Sequence, residues 1–169
     1  APDSKIVSMV KANAYGHGLI ECGLHFERSG VDFVGCAYLE EGLILRAAGV
    51  RIPILVFGGL LADQVDRYIQ NDIDITASSV SKLEQIEQVA ATLKRRARVH
   101  LKIDTGMERL GVHYYSAESL LEKTLSLKWC DVVGVFSHFS SADRVDQTVT
   151  NLQLERFLEC LNFYSRHSL

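Results

Sequence analysis

Apolar residues along this chain gather in short unbroken runs, each followed by a longer stretch with helical spacing. Ile6 to Val10, Val31 to Gly35, Ile52 to Phe57, Ile73 to Ala77, Arg98 to Asp104 and Val132 to Phe136 read as strands. Leu19 to Ser29, Leu39 to Ala48, Ala62 to Ile69, Ser78 to Leu93, Ser116 to Leu127 and a long stretch from about Gln147 read as helices, with Gly30 and Gly49 just past two of their ends. Ser81 and Glu84 have capping-box spacing, and Leu83, Ile86, Ala90 and Leu93 share one face. In the last helix the expected inner face is Leu154, Phe157, Leu158, Leu161 and Tyr164.

Strand followed by helix, repeated with no run of hairpins, predicts an α/β protein of parallel βα units. A (β/α)8 TIM barrel takes about 250 residues, and this chain has 169. The pattern therefore predicts a barrel of that type truncated to about six βα units with parallel strands. A complete doubly wound open sheet is the alternative. The chain opens on Ala1-Pro2 without an initiator methionine and stops after a helix, where another strand is due, so it reads as a segment cut from a longer protein at both ends.

Charge at strand ends changes the picture. Lys11 closes the first apolar run and is followed by small and polar residues with Gly16 and Gly18. At the C-terminal end of a parallel strand a side chain faces the ligand crevice, and a partly desolvated lysine there can act as base or nucleophile. An ordinary lysine snorkelling to water is the plainer reading of spacing alone. In the fifth strand Val99, Leu101 and Ile103 alternate with Arg98, His100, Lys102 and Asp104. Helices cover the outside of a barrel, so the apolar set faces out and the polar set points into the lumen, where Lys102 and Asp104 need partners.

Composition excludes more than it assigns. With 47% apolar residues the chain can bury a core, and a net charge of -3 with pI near 6.1 gives no basic footprint for nucleic acid. No apolar run approaches a membrane span and no signal-like start is present, which points to a cytoplasmic location with no membrane partner. Cys22, Cys36, Cys130 and Cys160 form no C-x-x-C and read as reduced, mostly buried thiols. The histidines show no ligand spacing, so no metal is expected.

Three strings then carry a resemblance. MVKANAYGHG around Lys11, KIDTGMERLGV around Lys102 and Arg109, and FSHFSSAD around His138 resemble, in order, the signatures of the alanine racemases, and the likeness extends over essentially the whole chain. The resemblance implies pyridoxal 5'-phosphate as cofactor, bound covalently by Lys11, which also serves as a catalytic base. It implies that Tyr15 holds the cofactor phosphate, that His138 packs against the pyridine ring, and that Arg109 meets both the cofactor's phenolic oxygen and the substrate carboxylate. Lys102 matches a lysine that is often carbamylated, an anion that would orient Arg109.

The implied activity is interconversion of L- and D-alanine, supplying D-alanine for peptidoglycan, by a homodimeric parent. Residues 1–169 would then be a partial cofactor-binding barrel domain, with the remaining strands and a C-terminal β domain lying elsewhere. That domain supplies the second catalytic base in the family, so this segment alone is expected to be inactive. A racemase of broader specificity, a related barrel decarboxylase, and a non-catalytic barrel that binds pyridoxal phosphate remain as alternatives.

Overall fold

The computed structural model describes residues 4–167, so the Ala1-Pro2 opening lies outside them. Strands β1 (Val7–Met9), β2 (Phe33–Cys36), β3 (Ile54–Val56), β4 (Ile73–Ala77) and β5 (Ala97–Asp104) pair in chain order, all parallel. Beyond them β5 takes two further parallel neighbours. The two-residue β6 (Val112–His113) pairs with Ile103 and Asp104, and β7 (Cys130–Phe136) pairs along Ala97 to Lys102. The register between β5 and β7 shifts after Val99, which brings Gly134 opposite His100.

The strands are followed by α2 (Leu19–Arg28), α3 (Leu39–Ala47), α4 (Val65–Gln70), α5 (Val80–Leu93), α6 (Ala117–Thr124) and α7 (Thr148–Arg166), with the short turn α1 (Lys11–Tyr15) between β1 and α2. The expected α/β alternation is present. Two helices enter through 3₁₀ turns, Ala62–Gln64 before α4, inside the single helix expected over Ala62 to Ile69, and Tyr114–Ser116 before α6, at the expected start at Ser116. Helix α5 starts one cap earlier than its expected capping box. Ser79, in extended conformation, accepts from the Lys82 amide at 3.2 Å, so Ser81 already lies inside the helix.

The sheet is strongly curled, which is what builds an interior. Phe33 on β2 and His100 on β5 are three strands apart, about 14 Å in a flat sheet at ordinary spacing. Their rings nevertheless meet edge-on with centroids 6.1 Å apart. Phe57, just past β3, likewise touches Phe136 of β7 at 5.1 Å. Val99, Leu101 and Ile103 are fully buried with Leu83, Ile86 and Leu120 in the layer between strands and helices, while His100 and Lys102 point to the inside of the curl, as the alternation required.

Helix α7 corrects one expectation. Its buried residues are Gln153, Cys160 and Phe163, whereas Leu154 and Leu158 are 42% and 50% exposed. The inner face is rotated from the apolar stripe because Gln153, a polar residue, is among those it buries. Leu93, at the end of α5, is also at the surface.

The opposite, N-terminal end of the sheet is closed by charges bound to the backbone. Arg46 donates to the carbonyls of Val50, Ile52, Asn71 and Asp72, and Glu27 accepts from the amides of Arg51 and Ile52. Cys36, Cys130 and Cys160 are buried and free. Burial, with Glu41 adding to it, pushes the Cys36 thiol up to about 12, so it stays protonated and inert. Among the described residues no helix is long and apolar enough to cross a membrane.

Candidate active site

Strand β1 delivers Lys11 to the C-terminal edge of the sheet, and the chain turns there in an unusual way. Ala12, Asn13, Ala14 and Tyr15 all have φ between 51° and 56°, a left-handed turn built without glycine. Each such residue costs about 1–2 kcal/mol relative to the right-handed form. The turn is held by its neighbours: the Ala14 amide donates to Val10 O at 2.7 Å, and Asn13 Oδ1 accepts the Leu19 amide at 2.8 Å to start α2. Glu41 on α3 accepts the Ala12 amide at 2.7 Å through one oxygen and the Ala37 and Tyr38 amides through the other. One carboxylate thus ties the Lys11 turn to the loop after β2. Strain stored beside a lysine and locked from outside keeps its amine in one place.

The loop after β5 is organised by a second carboxylate. Asp104 Oδ1 accepts the amides of Gly106, Met107 and Glu108, and Oδ2 accepts that of Arg109, at 2.8 to 3.2 Å. Burial alone would raise the Asp104 carboxyl, but these donors hold it below the ordinary carboxylate range. Its anionic charge is spent on shaping the loop. Gly111 ends that loop at φ +116°, and a Cβ there would come within 2.8 Å of Lys102 O, so only glycine lets the chain fold back over β5.

Lys102 is 5% exposed. Its ammonium donates to Ile103 O at 3.1 Å and sits 5.4 Å from the centre of the Phe136 ring. Burial lowers its pKa, Asp104 opposes that fall, and Arg109 adds to it. After β7, Ser137 Oγ meets Thr105 Oγ1 at 2.8 Å, joining the β5 and β7 loops. His138 follows. Desolvation and the nearby cations Arg109, Lys102 and Lys11 lower its pKa, which keeps the imidazole neutral at pH 7.

Lys11, Tyr15, Lys102, Arg109 and His138, all singled out in the sequence, line one cavity of about 630 Å³ together with Tyr38, Phe57, Phe136 and Ser137. The lining holds two lysines and one arginine and no carboxylate. Asp104 and Glu41 are engaged by backbone amides instead. A site of this kind attracts an anion carrying a flat apolar body: the cations meet the charge, and Phe57, Phe136 and Tyr38 meet the ring.

Asn13 shapes the Lys11 turn through its bond to the Leu19 amide. Sequence reasoning missed Glu41, Gln153 and Asp74. Glu41 stands three residues after Tyr38, and the usual capping-box cue, Ser or Thr at the first position, is missing. Asp74 sits inside an apolar run and is 1% exposed, with Arg98 and His100 as its partners.

The family model for the alanine racemase N-terminal domain matches residues 1–169, the whole chain. This chain belongs to that family. Its relatives include the alanine racemase of Methanococcus maripaludis, 36% identical over 95% of this chain and 43% of that protein. Alanine racemase 2 of Bacillus subtilis is 37% identical over 98% of this chain and 43% of its own length. Among solved structures, alanine racemase from Clostridium difficile 630 superposes with a TM-score of 0.95 at 32% identity, covering 100% of this chain and 45% of that one. Alanine racemase from Bacillus anthracis with bound L-Ala-P gives a TM-score of 0.90 at 26% identity, covering 100% and 44%. The chain therefore spans less than half the length of the curated relatives it matches, and the structural match makes its curled sheet a partial barrel of the family type.

Proposed function

We propose that this chain carries the cofactor face of an alanine racemase, one that interconverts L- and D-alanine with pyridoxal 5'-phosphate. The observation that supports this most is the cavity itself, where an amine, a phenol, a guanidinium and an imidazole converge without an acid among them. That donor set fits a phosphorylated, phenolic aldehyde: Lys11 to bind it covalently, Tyr15 to donate to its phosphate, His138 to lie against its ring and Arg109 to meet its phenolic oxygen and the substrate carboxylate. When bound, pyridoxal phosphate supplies an electron-accepting ring that acidifies the amino acid's Cα proton.

Lys11, freed by the incoming amine, moves that proton on one face. Its position at the end of β1 and the left-handed turn clamped by Glu41 support that role. Arg109 orients the substrate through its carboxylate. Lys102 is suited to carbamylation, because a carbamate forms from a neutral amine and burial favours that form. The ammonium would lose one proton to give the amine, and addition of carbon dioxide with loss of a second proton would leave an anion that holds Arg109 in place.

Racemisation needs a base on each face, and the resemblance takes the second from a β domain of a partner subunit. The 169-residue chain alone is accordingly inactive, and the active form is a cytoplasmic homodimer that supplies D-alanine for the cell wall. Purified chain with pyridoxal phosphate and L-alanine is expected to yield no D-alanine in a chiral assay. Sustained turnover would contradict the need for a second base from elsewhere.

A further inference from the structure

Helix α7 buries one polar side chain, and every bond it makes goes to the two loops that carry Arg109 and His138. Gln153 is 1% exposed. Its Oε1 accepts the Ser140 amide at 2.9 Å and the Ser140 hydroxyl at 3.0 Å. Its Nε2 donates to His138 O at 3.0 Å and to Thr105 Oγ1 at 3.3 Å. An amide with two acceptor and two donor positions is thereby fully used. Burial on an otherwise apolar face needs no amide. Leucine would fill the space without the desolvation cost, so the gain lies in what the amide connects.

The connections run to the cavity. Thr105 stands at the root of the Asp104-organised loop that carries Arg109, and Thr105 Oγ1 also meets Ser137 Oγ, next to His138. One turn further along the same helix, Arg156 donates to Thr105 O at 3.0 Å and lies 4.4 Å from the Tyr114 ring. The helix in turn is seated in the core by Phe163.

We propose that Gln153 is a positioning residue that sets the loop carrying Arg109 and the loop carrying His138 at a fixed separation across the mouth of the cavity. The proposal rests on the function given above for Arg109 and His138. Gln153 is not part of the cavity lining. It acts through the His138 carbonyl and through Thr105, so that guanidinium and imidazole reach a bound ring together.

The test follows the titration of His138 by NMR in histidine-labelled protein, with Gln153→Leu, Gln153→Met and Thr105→Val beside the unaltered chain. Burial, and then Arg109, Lys102 and Lys11, which face His138, hold its titration below that of an ordinary histidine. With Gln153 replaced the loops part and the His138 midpoint moves up, further than with Thr105→Val, which removes a single anchor. Phe163→Leu, a core truncation ten residues further along the same helix, whose ring meets Tyr164 and His167, lowers stability and leaves the midpoint where it was. Pyridoxal phosphate, titrated in parallel, binds about tenfold more weakly to the Gln153 variants, as expected when a buried group loses its partners. An unchanged His138 midpoint in all three loop variants, or an equal rise with Phe163→Leu, overturns the positioning role. If the unaltered chain takes up no pyridoxal phosphate, the proposed function fails, while the His138 titration still reads what Gln153 does.

Discussion

Strand β5 borders two charge clusters side by side, each around a buried charged group, Asp74 in one and Lys102 in the other, and built on opposite terms. At His100 the cluster closes on itself. Asp74 of β4, 1% exposed, takes Arg98 Nε at 2.9 Å and Nη2 at 3.3 Å, and His100 Nε2 at 3.0 Å. Gly134 makes room for it, since a Cβ there would lie 2.6 Å from His100 Nδ1. Two residues on, Lys102 enters a cavity with Lys11 and Arg109 and meets no acid there. A buried charge that the chain satisfies by itself reads as structural. A buried Lys102 grouped with half-buried Lys11 and exposed Arg109, in a cavity that holds aromatic rings and no acid, reads as reserved for a ligand.

The two clusters separate most sharply on mutation. Asp74→Ala takes the carboxylate from buried His100 and from Arg98, which is 46% exposed and can turn to water, so stability is expected to fall by about 1–3 kcal/mol. Lys102→Met, on the same strand, removes a charge that gains little from its surroundings and is expected to change stability by less than about 1 kcal/mol in cofactor-free protein. Urea unfolding of both variants measures the contrast, and comparable losses would erase the distinction between the clusters.

Asp104 sharpens the comparison from the acid side. Its carboxylate serves the cavity only through the backbone loop, so Asp104→Asn keeps the acceptor for three amides and loses the one for Arg109 N, at a cost of about 1–3 kcal/mol near neutral pH. Its folded pKa is depressed. The stability it contributes is therefore fully present above the unfolded value of about 4 and is lost as pH falls through the lower folded value. The Asn variant is expected to lack this part of the acid slope, so the two stability curves converge as pH drops. A gap that persists unchanged below pH ~3 would show that the Asp104 charge is not what the amides hold.

What the sequence made legible, and what it hid, follows the same physics. The apolar runs marked the strands because a parallel sheet covered by helices buries whole strands, and the alternation in Arg98 to Asp104 correctly put His100 and Lys102 on the inside. Lys11, Tyr15, Lys102, Arg109 and His138 were visible because three strings resemble a family. Spacing alone left Arg109 indistinguishable from a solvated loop charge.

The parts that stayed hidden are polar groups buried by hydrogen bonds rather than by hydropathy. Gln153 rotated the inner face of α7 away from Leu154 and Leu158, and Asp74 lay inside what read as an apolar strand. Glu41 acts at a distance of 29 residues on Ala12, beyond any local pattern. The left-handed turn at Ala12 to Tyr15 was also invisible, because alanine and tyrosine do not announce positive φ as glycine does. Two-residue β6 is too short for any periodicity to register.

The most direct measurement is to add pyridoxal phosphate to the chain, reduce with borohydride, and map the labelled peptide. A single label on Lys11, abolished in Lys11→Ala, is expected if the clamped turn and the cationic cavity already form the cofactor's anchor. Labels scattered over Lys5, Lys82 and other surface lysines, with none favoured at Lys11, would contradict a preformed site at the end of β1.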